Sequence, residues 1–257
     1  MSSKYKVLID ADGIVYRVGF ALEDVNNLEI VKHHINTTLS SYMDELKKVF
    51  VNIDAPVVIL SPIGQENNFR YKIAQTLPYK GNRVAPKPKH YEYIRKILSG
   101  MEGAIVAEGQ EADDTIADLA SENPEKTIIV SQDKDMRQVS GWHLEPSGGD
   151  YPKRPIYYVD PYRIGSIILE RTTGDKASLF ATGELALYSQ MMLGDTADNI
   201  PGLKGYGPVK VYEALKHQGP GNYDLEMITK MHYEDMNALN RYDEIYTLLK
   251  IGGHKND

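Results

Sequence analysis

Asp10 and Asp12 close the short apolar run Lys6 to Asp10 (KVLID). Residues two apart in an extended chain point the same way, so both carboxylates would leave the strand on one side. The letters DADG are also good turn chemistry. Glu111, Asp113 and Asp114 open a predicted helix in EGQEADDTIADLA. Acids there complement the helix dipole, yet three within four positions exceed what a cap needs, and Glu111 and Asp114 share a face at i, i+3. Asp133 and Asp135 follow the β-rich run TIIV, which places two carboxylates side by side at a strand end or in a solvated turn. Asp195 and Asp198 stand three apart in LGDTADNIPGLKGYGPVKVYEAL, a spacing that predicts one helical face. The glycines of GLKGYG suit a tight turn of the kind that grips a phosphate backbone without reading sequence.

Carboxylates gathered in one pocket repel each other and raise their own pKa values unless cations bind. Mg²⁺ takes a few carboxylates together with water and substrate phosphate. Two such ions ~3.5–4 Å apart clamp an in-line phosphoryl displacement. Phosphodiester hydrolysis is the reaction class implied.

The elements that must position these acids follow from periodicity. Strands are predicted at Lys6–Asp10, 56–60, 105–107, Thr127–Val130 and 155–159, and helices at 29–50, 91–98 and 110–120. The last third reads as mostly helical, with glycine-rich connections at 202–207 and 219–221. Strands alternating with helices predict an α/β domain with a largely parallel central sheet. In such sheets ligands bind beyond the carboxyl ends of the strands, where the first three acidic clusters fall.

The chain has 257 residues, no cysteine and a formal net charge of −7. Disulfides, thiolate zinc sites and a cysteine nucleophile are therefore excluded. No apolar run approaches about 18 residues, and no signal-peptide layout is present, so a cytoplasmic protein with no membrane partner is expected. The negative charge argues against a nucleic-acid partner only until its position is considered, because acids loaded with metal present a different charge to DNA. Eighteen tyrosines are a high count, read first as packing groups.

Taken in order, YKGNR, EADD, DKD and GDTADNIPGLKGYG resemble the 5′-nuclease superfamily. That group includes flap endonucleases, the 5′-nuclease domain of bacterial DNA polymerase I and stand-alone bacteriophage 5′-3′ exonucleases. The resemblance covers about residues 5 to 215, and the compact length is most similar to the phage enzymes. It implies a PIN-like catalytic core over 1–180 and a helical region with a helix-turn-helix over 181–257. It implies two Mg²⁺ ions, with Mn²⁺ as a substitute. Asp10, Glu111, Asp113 and Asp114 would serve the first ion, and Asp133, Asp135, Asp195 and Asp198 the second. Lys80 and Arg83 would contact the scissile phosphate, and Tyr79 would stack a base. Lys204, Gly205, Gly207 and Lys210 would hold duplex backbone, with K⁺ at the helix-turn-helix. The implied partner is DNA with a 5′ end or 5′ flap, or an RNA–DNA hybrid, met by a monomer in replication or repair. A phage origin would place the protein in host cytoplasm.

Two departures from the family pattern stand out. Ser61 occupies the neighbourhood where the family has an aspartate after its second strand, and Asp12 is the residue expected to make up the charge. Only VAPKPKHY separates Arg83 from the next helix. A short basic loop with Lys87 and Lys89 in place of a threading arch favours trimming of duplex ends. Three other readings compete: a DNA-binding accessory protein without catalysis, a PIN-type ribonuclease, and a phosphatase using DADG. The DNA-grip motif counts against the last two, and the retained acids count against the first.

Overall fold

The computed structural model describes residues 4–147, 153–171, 176–218 and 224–253. Strand β1 (Lys6–Asp10) is buried from Val7 onward, as a continuous apolar run requires of a central parallel strand. It passes without a loop into helix α1 (Ala11–Ala21), and the Asp10 side chain caps that helix by accepting the Asp12 N–H at 3.1 Å. Helix α2 (Leu28–Lys47) carries an apolar stripe of Val31, Ile35, Leu39, Tyr42 and Leu46. Strand β2 (Val57–Leu60) follows, then the single turn α3 (Arg70–Ile73), helix α4 (Tyr91–Ser99) and the two-residue strand β3 (Ile105–Val106).

Helix α5 (Ala112–Ser121) leads to β4 (Thr127–Val130), a short 3₁₀ helix at Lys134–Gln138, β5 (Gly141–Leu144) and β6 (Tyr157–Val159). Strands β7 (Ile167–Arg171) and β8 (Ala177–Ala181) pair with each other in antiparallel fashion. The remainder comprises α6 (Glu184–Leu193), a two-residue ladder of β9 (Gly194–Asp195) and β10 (Ile200–Pro201), α7 (Pro208–Leu215), α8 (Leu225–Asp235) and α9 (Tyr242–Leu249).

The main sheet has the order β3-β2-β1-β4-β5-β6. All its pairs are parallel except β5 with β6. The expected mostly parallel α/β sheet with a helical C-terminal region is therefore the fold. Strand β1 sits between β2 and β4, so the connections diverge on its two sides. A crevice opens at such a switch point, beyond the carboxyl ends of the strands.

Val7 and Ile9 face one side of the sheet and pack with Val15, Ile35, Leu46 and Ile94 from α1, α2 and α4. Leu8 and Ile59 face the other side and pack with Ile116 and Ala120 of α5 and with Met136. A third cluster joins α6 through α9 around Met191, Tyr233 and Ile245. Alternation along β1 thus locks both helical layers to one strand.

Three elements depart from the expected pattern. DADG starts α1 and is no turn. The β7–β8 hairpin interrupts a region expected to be mostly helical, and it packs against α7. Helix α6 stops at Leu193, where Gly194 takes φ +75°, so Asp195 and Asp198 lie in the ladder and its turn, off any helix. Helices α6 and α7 are thus joined through an antiparallel ladder and the glycine-rich segment 202–207.

Candidate active site

An open cavity of about 720 Å³ lies beyond the ends of β1 and β4. Asp10, Asp12, Glu111, Asp113 and Asp133 line it, together with Lys80, Arg83, Lys87 and Arg95. Asp10, Glu111 and Asp133 are each fixed at the start of a helix. Asp10 is the last residue of β1, and its Oδ2 accepts the Ser131 hydroxyl at 2.8 Å. Asp133 caps the 3₁₀ helix by accepting the Asp135 N–H at 2.9 Å. Glu111 is the N-cap of α5, in a capping box with Asp114. Ser61 accepts the Ala112 N–H at 2.9 Å and so fixes the start of the same helix.

Among the described residues, Asp10, Asp113 and Asp133 make no ion pair, although they border one space. Burial pushes Asp10 up to about 7, helped by Asp12 and opposed by its Ser131 bond. Asp113 is held well above the ordinary carboxylate range by burial, then by Asp10 and Asp133. Asp133 is raised by burial and by Asp198, against its backbone bond and Lys134. Each of the three would lose that excess on meeting a hard cation.

Basic groups line the same cavity. Lys80 takes φ +53°, a left-handed conformation unusual for a residue with a side chain. Strain of this kind costs about 1–3 kcal/mol and persists where the surroundings enforce it. The Lys80 N–H donates to the Asp198 carbonyl at 2.9 Å, and its ammonium lies on Glu111, with Asp198 at 3.8 Å. Burial lowers the Lys80 pKa, but Glu111 and Asp198 outweigh it and leave it raised. Burial likewise raises Glu111, and Lys80 with Arg70 more than reverses that. Arg83 bonds Asp198 Oδ1 at 2.6 Å and the Ala197 carbonyl at 3.1 Å, and half of its side chain stays in solvent.

Several expected ligands are otherwise engaged. Asp114 is fully buried and bound by both terminal nitrogens of Arg70 at 2.5 and 2.9 Å. It also accepts the N–H of Glu111 and of Gly252, so it serves as an anchor behind the cavity and does not line it. Asp12 reaches the wall but pairs with Arg95 at 3.1 Å and accepts the Ser61 N–H at 3.0 Å. The charge it was expected to add is thus neutralised locally.

Asp135 and Asp195 flank Lys134, whose ammonium lies 2.7 Å from Asp195 and 3.9 Å from Asp135, while the nearby Asp198 is held by Arg83 and Tyr79. Gln190 donates to both Asp135 and Asp195, at 2.7 and 3.0 Å. Burial would raise Asp195, but Lys134 holds it below the ordinary value, while burial and Asp133 hold Asp135 well above it. Among the described residues no group of three or more acidic or histidine side chains is gathered closely enough to hold a metal ion. The donor chemistry still fits a hard divalent cation at the first set: all-oxygen, cation-poor carboxylates around an open space.

Tyr79 departs from its expected role. It is 3% exposed, sits edge-on to Tyr71, and its hydroxyl lies 2.6 Å from Glu111 and 2.7 Å from Asp198. A ring buried in this way has no face for a base. The rings bordering the cavity are Tyr16, Tyr71 and Tyr91, which periodicity did not single out.

The short 84–90 connection docks on α1, where Pro88 packs against Gly19 too closely for any Cβ there. Lys87 faces the cavity with its ammonium 4.1 Å above Tyr91. Lys89 turns away and bonds Asn26 at 2.6 Å, so of the two loop lysines only Lys87 faces the cavity. Lys204, Gly205, Gly207 and Lys210 cluster apart from the cavity, at the turn into α7. Gly205 takes φ +78°, Gly207 caps α7, and Lys210 lies over the Tyr206 ring at 3.8 Å.

This geometry coincides with sequence comparison. The family model for the 5′-3′ exonuclease N-terminal resolvase-like domain matches residues 6–145, which span β1 to the residue after β5. The chain belongs to that family. It is 26% identical over 255 residues to DNA polymerase I of Bacillus caldotenax, aligning 96% of this chain to 27% of the polymerase. It is also 26% identical to flap endonuclease Xni of Shewanella putrefaciens, over 82% of this chain and 73% of that protein. In fold it is similar to the bacteriophage T5 flap endonuclease in a pseudo-enzyme-product complex with DNA and metal ions, at TM-score 0.53 and 15% identity. That match covers 95% of this chain and 86% of the other. The zinc-bound T5 5′-exonuclease is similar at TM-score 0.51 and 16% identity, over 95% and 96% of the two chains. Among the described residues no helix is long and apolar enough to cross a membrane.

Sequence reasoning missed Arg70, Arg95, Lys134 and Gln190. Each reaches its acid from another segment, apart from Lys134, which was visible as the middle residue of DKD.

Proposed function

We propose that this chain is a divalent-metal-dependent 5′-3′ exonuclease and flap endonuclease that hydrolyses phosphodiester bonds near DNA 5′ ends. One observation carries the reading: the cation-poor carboxylates of Asp10, Asp113 and Asp133 line one open cavity together with Lys80 and Arg83. A phosphate entering it would meet negative groups that need a cation and positive groups that can receive its charge.

Asp10, Asp113 and Asp133, with Glu111, would hold a first Mg²⁺ or Mn²⁺. Asp135, Asp195 and Asp198 would hold a second once the Lys134 ammonium withdraws. When bound, the ions supply positive charge that polarises the scissile phosphodiester. Lys80 and Arg83 then bear on the phosphoryl oxygens, where donors aimed at developing charge are worth most. Tyr16 and Tyr91, on the rim, are the rings placed to stack terminal bases. The turn at 202–207 and the start of α7 would hold duplex backbone through Lys204, Lys210 and open amides, with K⁺ at the turn. The docked 84–90 loop favours end trimming over threading of long flaps. Duplex DNA, 5′ flaps and RNA–DNA hybrids are the substrates proposed for a monomer acting in replication or repair, in cytoplasm and of phage origin.

The deciding experiment is cleavage of 5′-labelled blunt duplex and 5′-flap DNA by wild type and Asp133→Asn, in Mg²⁺ and in EDTA. Metal-dependent cutting abolished by the substitution is expected, and product lengths separate trimming from flap removal. Tight binding with no cutting by wild type would sink the reading in favour of an accessory DNA-binding protein.

A further inference from the structure

The C-terminal stretch from Tyr242 to Gly253 lies outside the cavity, yet it is bonded to three separate segments that build it. Arg70, 3% exposed, is the hub. Its Nε donates to the Leu248 carbonyl at 2.9 Å and one terminal nitrogen donates to the Lys250 carbonyl at 2.8 Å. The same guanidinium forks onto Asp114 and lies 3.6 Å from Glu111. The Gly252 N–H then closes the ring on Asp114 at 3.0 Å. At the other end of α9, Glu244 accepts the N–H groups of Gln75 and Thr76 and the Thr76 hydroxyl, at 2.6, 2.7 and 2.6 Å. Those residues begin the segment that ends in Tyr79, Lys80 and Arg83. A third tie comes from Gln138, at the end of the 3₁₀ helix after Asp133, which donates to the Leu249 carbonyl at 3.0 Å.

A helix fastened to the segment before Lys80 and Arg83, to the start of α5 and to the end of the 3₁₀ helix that carries Asp135 holds three separate cavity-building segments in one frame. The bonds are of the kind that fix distance. A buried bidentate arginine–carboxylate pair has one good geometry, and a lysine cannot reproduce the fork. A side chain held within about half an ångström by such neighbours is what ion binding and phosphoryl transfer require.

We propose that α9 and residues 250–253 form a clasp that positions the ion-binding and phosphate-binding groups, with Arg70 and Glu244 as its positioning residues. The inference rests on the nuclease reading for its meaning, and it is tested with a readout that does not need cleavage. Mn²⁺ binding to the full-length chain is measured by titration calorimetry for wild type, Arg70→Lys and Glu244→Ala, with thermal unfolding recorded in parallel. Cleavage kinetics follow on the same proteins.

Arg70→Lys, which keeps the charge and loses the fork, is expected to weaken Mn²⁺ binding at least about fivefold and to lower kcat about tenfold, with KM for DNA within about twofold. Glu244→Ala, on the surface and distant from the acids, should leave Mn²⁺ binding intact and lower kcat several-fold. A lower unfolding temperature with unchanged ion affinity in Arg70→Lys and unchanged kcat in Glu244→Ala overturns the clasp. If Arg70→Lys does not fold, Glu244→Ala decides alone by its kcat. Wild type that binds Mn²⁺ but cuts nothing removes the nuclease reading, while the change in Mn²⁺ affinity still decides the clasp.

Discussion

At the scale of single residues the cavity sets acids that make no ion pair among the described residues, Asp10, Asp113 and Asp133, beside acids held by its own basic groups, Glu111 by Lys80 and Asp12 by Arg95. Lys80 illustrates it, because its ammonium occupies Glu111 while its proposed task lies on a phosphoryl oxygen. Lys80→Ala should lower the single-turnover rate by about 10²–10³, the usual loss on removing one donor to developing charge. Mn²⁺ affinity should hold or improve, since Glu111 is freed. A rate loss matched by lost ion binding would instead make Lys80 a structural counter-ion. Asp10 gives a pH signature. In the folded protein without metal it keeps its proton to about 7, whereas the ordinary value is 3.8. The folded state binds more protons between those values, so stability falls as pH rises through the window. The unfolding temperature in EDTA should therefore drop between pH 5 and pH 8 more steeply for wild type than for Asp10→Asn. Added Mg²⁺, which replaces the proton, should stabilise wild type more at pH 8 than at pH 5. Parallel curves for the two proteins would dismiss the Asp10 contribution.

At the scale of elements, the turn into α7 is proposed to hold duplex backbone. Lys204 and Lys210 flank Gly205, whose missing Cβ would meet nothing within 4 Å, so the glycine is there for its positive φ and leaves an open surface. Removing one phosphate-neutralising lysine should reduce the slope of log K against log salt by about 0.9 for duplex DNA. Lys204→Ala and Lys210→Ala should each do so, with the rate at saturating DNA little changed. Salt slopes equal to wild type would place the duplex elsewhere. The elements also show what a sequence can and cannot disclose. KVLID and TIIV were legible because an uninterrupted apolar run needs burial on both faces. The start of α1 was not legible at DADG, because a turn and a helix cap use the same bond, an aspartate oxygen on the N–H two residues later. Asp195 and Asp198 were legible as a pair but not as a ladder and turn, since only the positive φ of Gly194 ends the helix before them. Arg70 and Arg95 could not be found from spacing, because their partners lie 44 and 83 residues away. Asp114 had the spacing of a ligand, but Arg70 and the N–H groups of Glu111 and Gly252 hold it behind the cavity that Asp113 lines.

At the scale of the whole molecule, a chain of net charge −7 is proposed to bind a polyanion. Five carboxylates line one cavity, three of them without an ion pair among the described residues, so divalent ions should govern affinity as well as rate. Replacing EDTA with Ca²⁺ at constant ionic strength should tighten binding of a blunt duplex by at least about tenfold in wild type. The gain should be much smaller in Asp133→Asn, measured by fluorescence anisotropy, and an equal gain in both would locate the ions elsewhere. The placement of β1 between β2 and β4 has a further consequence, for the order in which the molecule comes into being. Lys6 pairs with Thr127, so the central strand of the sheet must wait for a neighbour from the middle of the chain. Contacts so distant in sequence close slowly. The same pairing brings Asp10 and Asp133 together, so their mutual repulsion is deferred to a late stage of folding. On the ribosome the first acid is made early and meets its counterpart only after half the chain has emerged, when divalent ions can bind as the pocket closes.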